Sequence, residues 1–436
     1  MIATAFAQQP TVPLPQACGP GSATQGAYRF FENDDIDPAA LRQSHHQATL
    51  ERARHHSIVL AIQDTTTLNY STHPRTAGLG LLGSHSEKVI GLHLHCTLAV
   101  TPTGQPLGLL HSAVWARDKK KRGLARARHR KPVAQKESRK WLDSLTACQA
   151  LAPHCPDTTL VNVTDREGDL YELFAQALAV EAGPRVHLLV RSRHNRKLDG
   201  QDRRLWDTVG RMKSAGVLKV RVGRRGEQPA RLATLAVRFR EVTLEAPGGK
   251  GGQPALTLWA IEARETHPPK GATPILWRLL STQPVTSLEE ACKQIGWYAQ
   301  RWQIEVLHKV LKSGCALEQR QLETAARLER VLAVDLVVAW RLLALCKAGR
   351  EEPAAAVSAW LSQSEWEALW CHVHQRTTPP QQAPGVRQAV RWIARLGGFL
   401  GRKSDGEPGP VTLWRGLHRL NDLTAMWQLC HSKKPK

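Results

Sequence analysis

Ser287–Gly314, SLEEACKQIGWYAQRWQIEVLHKVLKSG, is the stretch from which the rest of the chain is read. Ser287 followed by Glu290 at the third position is a capping-box start, and Gly314 after Lys312 and Ser313 is a stop, so a single helix is expected across it. At about 100° per residue, Tyr298, Arg301, Glu305, Lys309 and Lys312 fall on one stripe. Ala291, Ile295, Trp302, Val306 and Val310 form a second, apolar stripe that predicts burial against a core. A carboxylate flanked by cations and a phenol suits a metal beside a phosphate backbone. A solvated face with an ordinary Glu305–Lys309 pair fits the stripe too, and on the stripe alone it is the commoner outcome.

The chain has 436 residues, long enough for two or three domains and a real core. Sixty Lys and Arg stand against 38 Asp and Glu, a formal charge of +22, which favours a polyanionic partner, nucleic acid first. No membrane span is expected, because the apolar run Val331 to Cys346 is interrupted by Asp335 and Arg341. The opening MIATAFAQQ lacks the basic n-region of a signal peptide, so a cytoplasmic location is expected. Nine cysteines without a CxxC pair argue against a disulfide framework and against structural zinc. Cys371, His372 and His374, like Cys430 and His431, lack a regular ligand spacing. His93, His95 and Cys96 lie in an apolar run and read as core or sheet-surface residues.

The first twenty residues, rich in Pro, Gln and Ala, read as poorly ordered, and Gly26 to His55 as short helices. Ser57 to Asp64, SIVLAIQD, is an apolar run that ends on an acid, as a buried strand does when it delivers a carboxylate to a sheet edge. Val89 to Val100 and Leu107 to Trp115, across a turn containing Gly104, complete a three-stranded meander. Arg117 to Lys131 holds nine Lys or Arg and reads as a phosphate-contacting arm through Lys119, Lys120, Lys121, Arg122, Arg126 and Arg128, or else as a solvated linker. Thr158 to Asp165, TTLVNVTD, repeats the acid-ended strand, and a helix carrying Glu167 and Asp169 follows. Several carboxylates brought together at neutral pH repel unless a divalent cation sits among them. From Arg185 to Thr282 the pattern has period two, a β segment whose cationic face could meet DNA. Beyond Gly314 the pattern is helical.

Six segments together resemble the bacterial DDE transposases with a Y-R-E-K signature, insertion sequence family four. They are IQDTTTLNY at Ile62, VTDREGDLYELF at Val163, VRSRHNRK at Val190, PPKGATPILWRLLSTQPV at Pro268, YAQRWQIEVLHKVLKSG at Tyr298 and IARLGGF at Ile393. The fifth keeps the spacing Y-x2-R-x3-E-x6-K, and the likeness runs from about Gly26 to Trp427. It implies an α/β fold: an RNase H-like catalytic core of mixed sheet flanked by helices, with an inserted mostly-β subdomain and helical N- and C-terminal regions. The corresponding division is 1–55 as a partial DNA-binding region, 56–184 and 283–349 as the two parts of the core, 185–282 as the insertion, and 350–436 as a helical dimerisation domain. It further implies Asp64, Asp165 and Glu305 as a metal-binding catalytic triad. Tyr298, Arg301, Lys309 and Lys312 would contact DNA phosphates, and Arg191 and Trp277 a hairpinned DNA end, with Trp277 stacking on a flipped base.

The resemblance implies two Mg²⁺ ions, with Mn²⁺ able to substitute. The partners implied are double-stranded DNA, both inverted-repeat ends and target, and a second copy in a synaptic homodimer on the bacterial nucleoid. The reaction implied is hydrolytic nicking, a hairpin intermediate, and joining of 3′-OH ends to target. The chain departs from the pattern in two places. Only the residues before Gly26 stand where relatives carry a longer helical end-reading domain, and the Arg117 arm is more cationic. A truncated DNA-binding relative without catalysis and an RNase H-like structure-specific nuclease remain as alternatives.

Overall fold

A computed structural model describes residues 1–83, 89–118, 132–180, 183–222, 230–248, 253–402 and 405–431. Its centre is the strand Ile58–Asn69 (β1), whose Val59, Leu60, Ala61 and Ile62 are buried on both faces. A continuous apolar run is what a strand covered on both sides requires. Gly80–Leu81 (β2) and Ile90–Val100 (β3) follow, and β1 lies antiparallel to β3 from Leu60 opposite Val100 to Asn69 opposite Gly91. Pro106–Trp115 (β4) pairs antiparallel with β3, so the three-stranded meander is present. Gly104 in the turn between them has φ +103°, a conformation that favours glycine.

On its other side β1 is parallel to Thr159–Thr164 (β5), which is parallel in turn to His187–Arg191 (β6). Gly216–Val222 (β7), Arg231–Leu244 (β8), Leu256–Glu265 (β9) and Leu276–Ser281 (β10) form an antiparallel series joined to β6 through β10. All ten described strands make one sheet, in the order β2-β3-β1-β5-β6-β10-β9-β8-β7, with β4 on β3. The period-two segment therefore continues the central sheet rather than standing apart from it. His187–Arg191, grouped with that segment by its pattern, pairs directly with β5. Alternation marks a strand but carries no information about its neighbour.

The N-terminal helices are Ile2–Gln8 (α1), Leu14–Cys18 (α2), Ser22–Glu32 (α3) and Pro38–Ala53 (α4). Arg139–Leu151 (α5) and Tyr171–Leu178 (α6) cover one sheet face, burying Trp141, Leu145 and Phe174 against Val59, Ala61 and Leu160. Each such side chain removed from water is worth roughly 1.5–3 kcal/mol. Leu205–Gly210 (α7) packs beside them through Leu205, Trp206 and Val209. Leu288–Ala299 (α8), Trp302–Lys309 (α9) and Ala325–Glu351 (α10) cover the opposite face, where Ile304, Leu307, Val331 and Leu336 meet Leu60, Ile62, Leu94 and Leu98. Gln363–His374 (α11), Val386–Leu396 (α12) and Pro410–His431 (α13) form a separate apolar cluster with the end of α10.

The expectation of disorder in the first twenty residues is corrected. α1 and α2 occupy that stretch, and Phe6 is fully buried with its ring 6.1 Å from that of Phe31. Arg320 supplies the tie that local composition cannot reveal. Its guanidinium lies 4.4 Å from the Phe6 ring centroid and donates to the Val12 carbonyl at 2.8 Å. It also pairs with Asp335 of α10 at 3.2 Å, and Asp335 is wholly buried. Removing one member of a buried ion pair leaves the other desolvated without a partner, which costs about 3–5 kcal/mol. Arg320→Met is therefore expected to lower the unfolding free energy by that amount in a urea titration. A loss below about 1 kcal/mol would place the pair in the weakly coupled class of exposed bridges.

Candidate active site

The expected single helix over Ser287–Gly314 is two. Its start is as read: Ser287 Oγ accepts from the Glu290 amide at 3.2 Å, and Glu290 Oε2 accepts from the Ser287 amide at 3.3 Å. α8 stops at Ala299, α9 begins at Trp302, and Val310–Gly314 opens into a π turn. The break at Gln300 and Arg301 resets the helical phase. Trp302, placed by periodicity on the buried stripe, is 59% exposed, while Ile304, Leu307, Val310 and Leu311 fill the core. Tyr298, placed on the charged stripe, is buried. Single π turns often mark functional positions, and this one carries Lys312.

Asp64 lies within β1 and not at its end, because pairing with β3 continues to Asn69. The parallel partner β5 stops at Thr164, however, so Asp64 sits just beyond the last parallel pair, Ile62 with Val163. Asp165 follows β5 at once and caps the 3₁₀ turn Arg166–Gly168, accepting from the Glu167 amide at 2.8 Å. Glu305 comes from the first turn of α9. Arg301 joins the set: Nη1 is 3.2 Å from Asp64 Oδ2, and Nη2 donates to Glu305 Oε1. Burial pushes the Asp64 carboxyl up to about 6, against the opposing pull of Arg301 and of the Thr65 amide that donates to it at 2.8 Å; the charges of Asp165 and Glu305 push it further in the same direction. Both other acids thus act electrostatically on Asp64.

Asp169 is excluded from this set. It is buried and takes Arg196 Nη1 at 2.6 Å and the amides of Arg193 and His194 at 2.6 and 3.0 Å, which organises the loop after β6. Glu167 is exposed, with Lys140 at 3.5 Å. The oxygen donors of Asp64, Asp165 and Glu305 are of the kind that Mg²⁺ or Mn²⁺ prefers. Among the described residues no three His, Cys, Asp or Glu side chains are already gathered into a metal cage. Arg301 stands between Asp64 and Glu305 and supplies the neutralising charge there.

Around this centre Trp277 of β10 meets Tyr298 edge to face, with centroids 5.8 Å apart. Arg191 ends β6 and donates to the Leu276 carbonyl at 3.4 Å. Lys309 is exposed, and Lys312 Nζ lies 3.9 Å from Glu318. Lys119, Lys120, Lys121, Arg122, Arg126 and Arg128 lie outside the described residues. Exposed Trp302, adjacent to Arg301, was missed because only the helix break turns it outward. His95, as expected, is a buried sheet residue, held by Gln63 at 3.0 Å and Thr65 at 2.9 Å.

Residues 1–36 match the family described as transposase DNA-binding, and residues 337–429 match the Tn5 transposase dimerisation domain. The two matches support a transposase that binds DNA and dimerises. The first also covers the segment in which the sequence pattern suggested only irregular residues before Gly26. A cryo-EM structure of a piggyBac transposase synaptic complex with hairpin DNA is similar at a TM-score of 0.38 and 8% identity, over 100% of this chain and 72% of that one. At that level the two folds are not shown to correspond. No described helix is long and apolar enough to cross a membrane.

Arg301 opposes the upward shift of Asp64, so its removal has a definite sign. In the metal-free protein Arg301→Gln is expected to move the Asp64 midpoint above about 6 in a ¹³C-carboxyl titration. An unmoved or lowered midpoint would show that Arg301 does not neutralise this carboxylate.

Proposed function

We propose that the chain is a DDE transposase that cleaves transposon ends by metal-dependent phosphoryl transfer and joins the freed 3′-OH ends to target DNA. The observation that carries this reading is the bridge that Arg301 makes between Asp64 and Glu305, at the place where β5 ends and Asp165 follows it. The strand order β4-β3-β1-β5-β6, antiparallel over the first three and parallel over the last three, supports an RNase H-like core. Divalent ions held by the three carboxylates would supply an activated nucleophile and a stabilised leaving oxygen.

The chain's own groups provide binding and orientation. Arg301 and Lys312, with Lys309 at the rim, carry the charge to hold phosphates beside the carboxylates. Once a phosphate or a cation arrives, Arg301 can exchange its carboxylate partners for the DNA backbone. The half-buried Trp277, braced by Tyr298, offers an indole surface for an extruded base, a contact worth roughly 1–3 kcal/mol, as a hairpin intermediate would need. Exposed Met426 and Leu429 near the end of α13 give the matched dimerisation segment an apolar surface for a second copy in a synaptic complex.

Asp64→Ala, Asp165→Ala and Glu305→Ala are each expected to reduce Mg²⁺- or Mn²⁺-dependent cleavage of the element's ends by about 10⁴-fold, with DNA binding retained. Cleavage surviving in one variant would remove that residue from the triad. Cleavage by the wild type without joining to a plasmid target would favour the nuclease reading, and binding without cleavage the non-catalytic one. Trp277→Ala is expected to nick at the normal rate but accumulate less hairpin on a denaturing gel; an unchanged hairpin yield would give Trp277 a packing role alone.

A further inference from the structure

Along β10 successive side chains point to opposite faces of the sheet. Trp277 faces Tyr298, whereas Leu276 and Arg278 open into a cavity of about 540 Å³ on the other side. Four arginines line that cavity, Arg166, Arg191, Arg193 and Arg278, together with Asn195 and the indole of Trp206. No carboxylate is among its described lining residues.

The lining is held in place from behind. Trp206 is 3% exposed and donates its indole N–H to Ser192 Oγ at 3.0 Å. Asp169, which gathers the amides of Arg193 and His194, pins the loop that carries Arg193 and Asn195. Arg278 lies 5.3 Å from the Trp206 ring and is oriented by Glu262, whose Oε2 accepts from Nε at 2.9 Å. Glu262 is fully buried and also faces Arg238 and Arg264 at 3.6 and 3.4 Å, so one carboxylate answers three guanidinium groups. Among the described residues neither Arg166 nor Arg193 has a side-chain ion pair. The net charge of the cavity wall is therefore strongly positive, with Trp206, Arg278 and the backbone of the Arg193 loop held before any ligand arrives.

We propose that this cavity binds a backbone phosphate of the DNA strand that reaches the carboxylate centre, on the sheet face opposite Trp277. Guanidinium groups match phosphate oxygens in paired, charge-assisted hydrogen bonds, which suits the ligand to this wall. Arg166 follows Asp165 directly, and consecutive Cα atoms lie about 3.8 Å apart, so the cavity wall begins next to a proposed metal ligand. A phosphate seated here would fix the strand's register at the reacting bond. The assignment rests on the DNA-processing function proposed above, but its test requires neither metal nor cleavage.

Duplex DNA carrying the element's end is titrated with full-length protein in EDTA, over a range of salt. Arg166→Gln combined with Arg193→Gln is expected to lower the slope of log K against log salt by about 0.9, the release associated with one phosphate contact. Binding at fixed salt falls in step. A second variant, Arg278→Gln alone, removes the third arginine while Glu262 keeps Arg238 and Arg264, and should lower the slope likewise. A slope unchanged in both variants, with melting temperatures like the wild type, overturns the proposal. So does a cavity that answers only to inorganic phosphate: a stabilisation by orthophosphate lost in the variants while the DNA slope is unaltered. Failure of the wild type itself to bind DNA would strike the function proposed above, whereas wild-type binding with an indifferent variant strikes this cavity alone.

Discussion

β1 is hydrogen-bonded along most of its length to β3 and along only its first part to β5, and this unequal pairing sets the rest of the molecule. Where β5 ends, Asp64 is left beside the opening loop, and Asp165 is delivered to the same place by the last residue of the parallel pair. The helices packed on one face then need only bring α9 across that end for Glu305 to join them. A sheet whose core strands are buried on both faces leaves carboxylates few exits, and strand termini are the ones available.

Gathering acids in this way raises an electrostatic cost that the fold meets with Arg301. The guanidinium reaches Glu305 one helical turn along at i+4 and Asp64 across on β1 at the same time. The same residue is thus a counter-charge in the free protein and a phosphate ligand in the proposed complex. Arginine is suited to both, since it stays charged and presents a planar fork to carboxylate and phosphate alike. On the opposite sheet face the balance runs the other way: Glu262 is the single acid among three arginines, and positive charge is left over for a polyanion.

The ends of the chain are tied to this centre by buried polar contacts rather than by local propensity. Arg320 binds the α1–α2 connection to α10, and Arg330 of α10 donates to the Phe31 carbonyl at 3.0 Å. The segment matched as DNA-binding is in this way fastened to the helix at which the matched dimerisation segment begins. Perturbing that fastening would therefore reach both.

Much of this was legible in the amino-acid sequence, for identifiable reasons. The capping box at Ser287, the meander of β1, β3 and β4, and the C-terminal helices follow from short-range chemistry: side chains that satisfy nearby backbone groups and apolar residues at a fixed period. Asp64 and Asp165 stand out as acids that follow apolar runs, whereas Glu305 is marked by the family resemblance, since its stripe alone fits an ordinary charged surface. Long-range geometry escaped the pattern. Trp302 is exposed against expectation because it follows a two-residue break through which periodicity runs straight, while Tyr298, before the break, shares the buried face of α8 with Ala291. The order in α1 and α2 depends on Arg320, hundreds of residues away, and the joining of the β segment to the central sheet depends on β6 meeting β10. What the sequence determined by itself was which residues carry charge, where elements begin, and which side chains seek burial. Only the tertiary structure decided which acids share a space, which arginine stands between them, and which arginines remain free to meet phosphate, because pairing and burial are settled between segments and not within them.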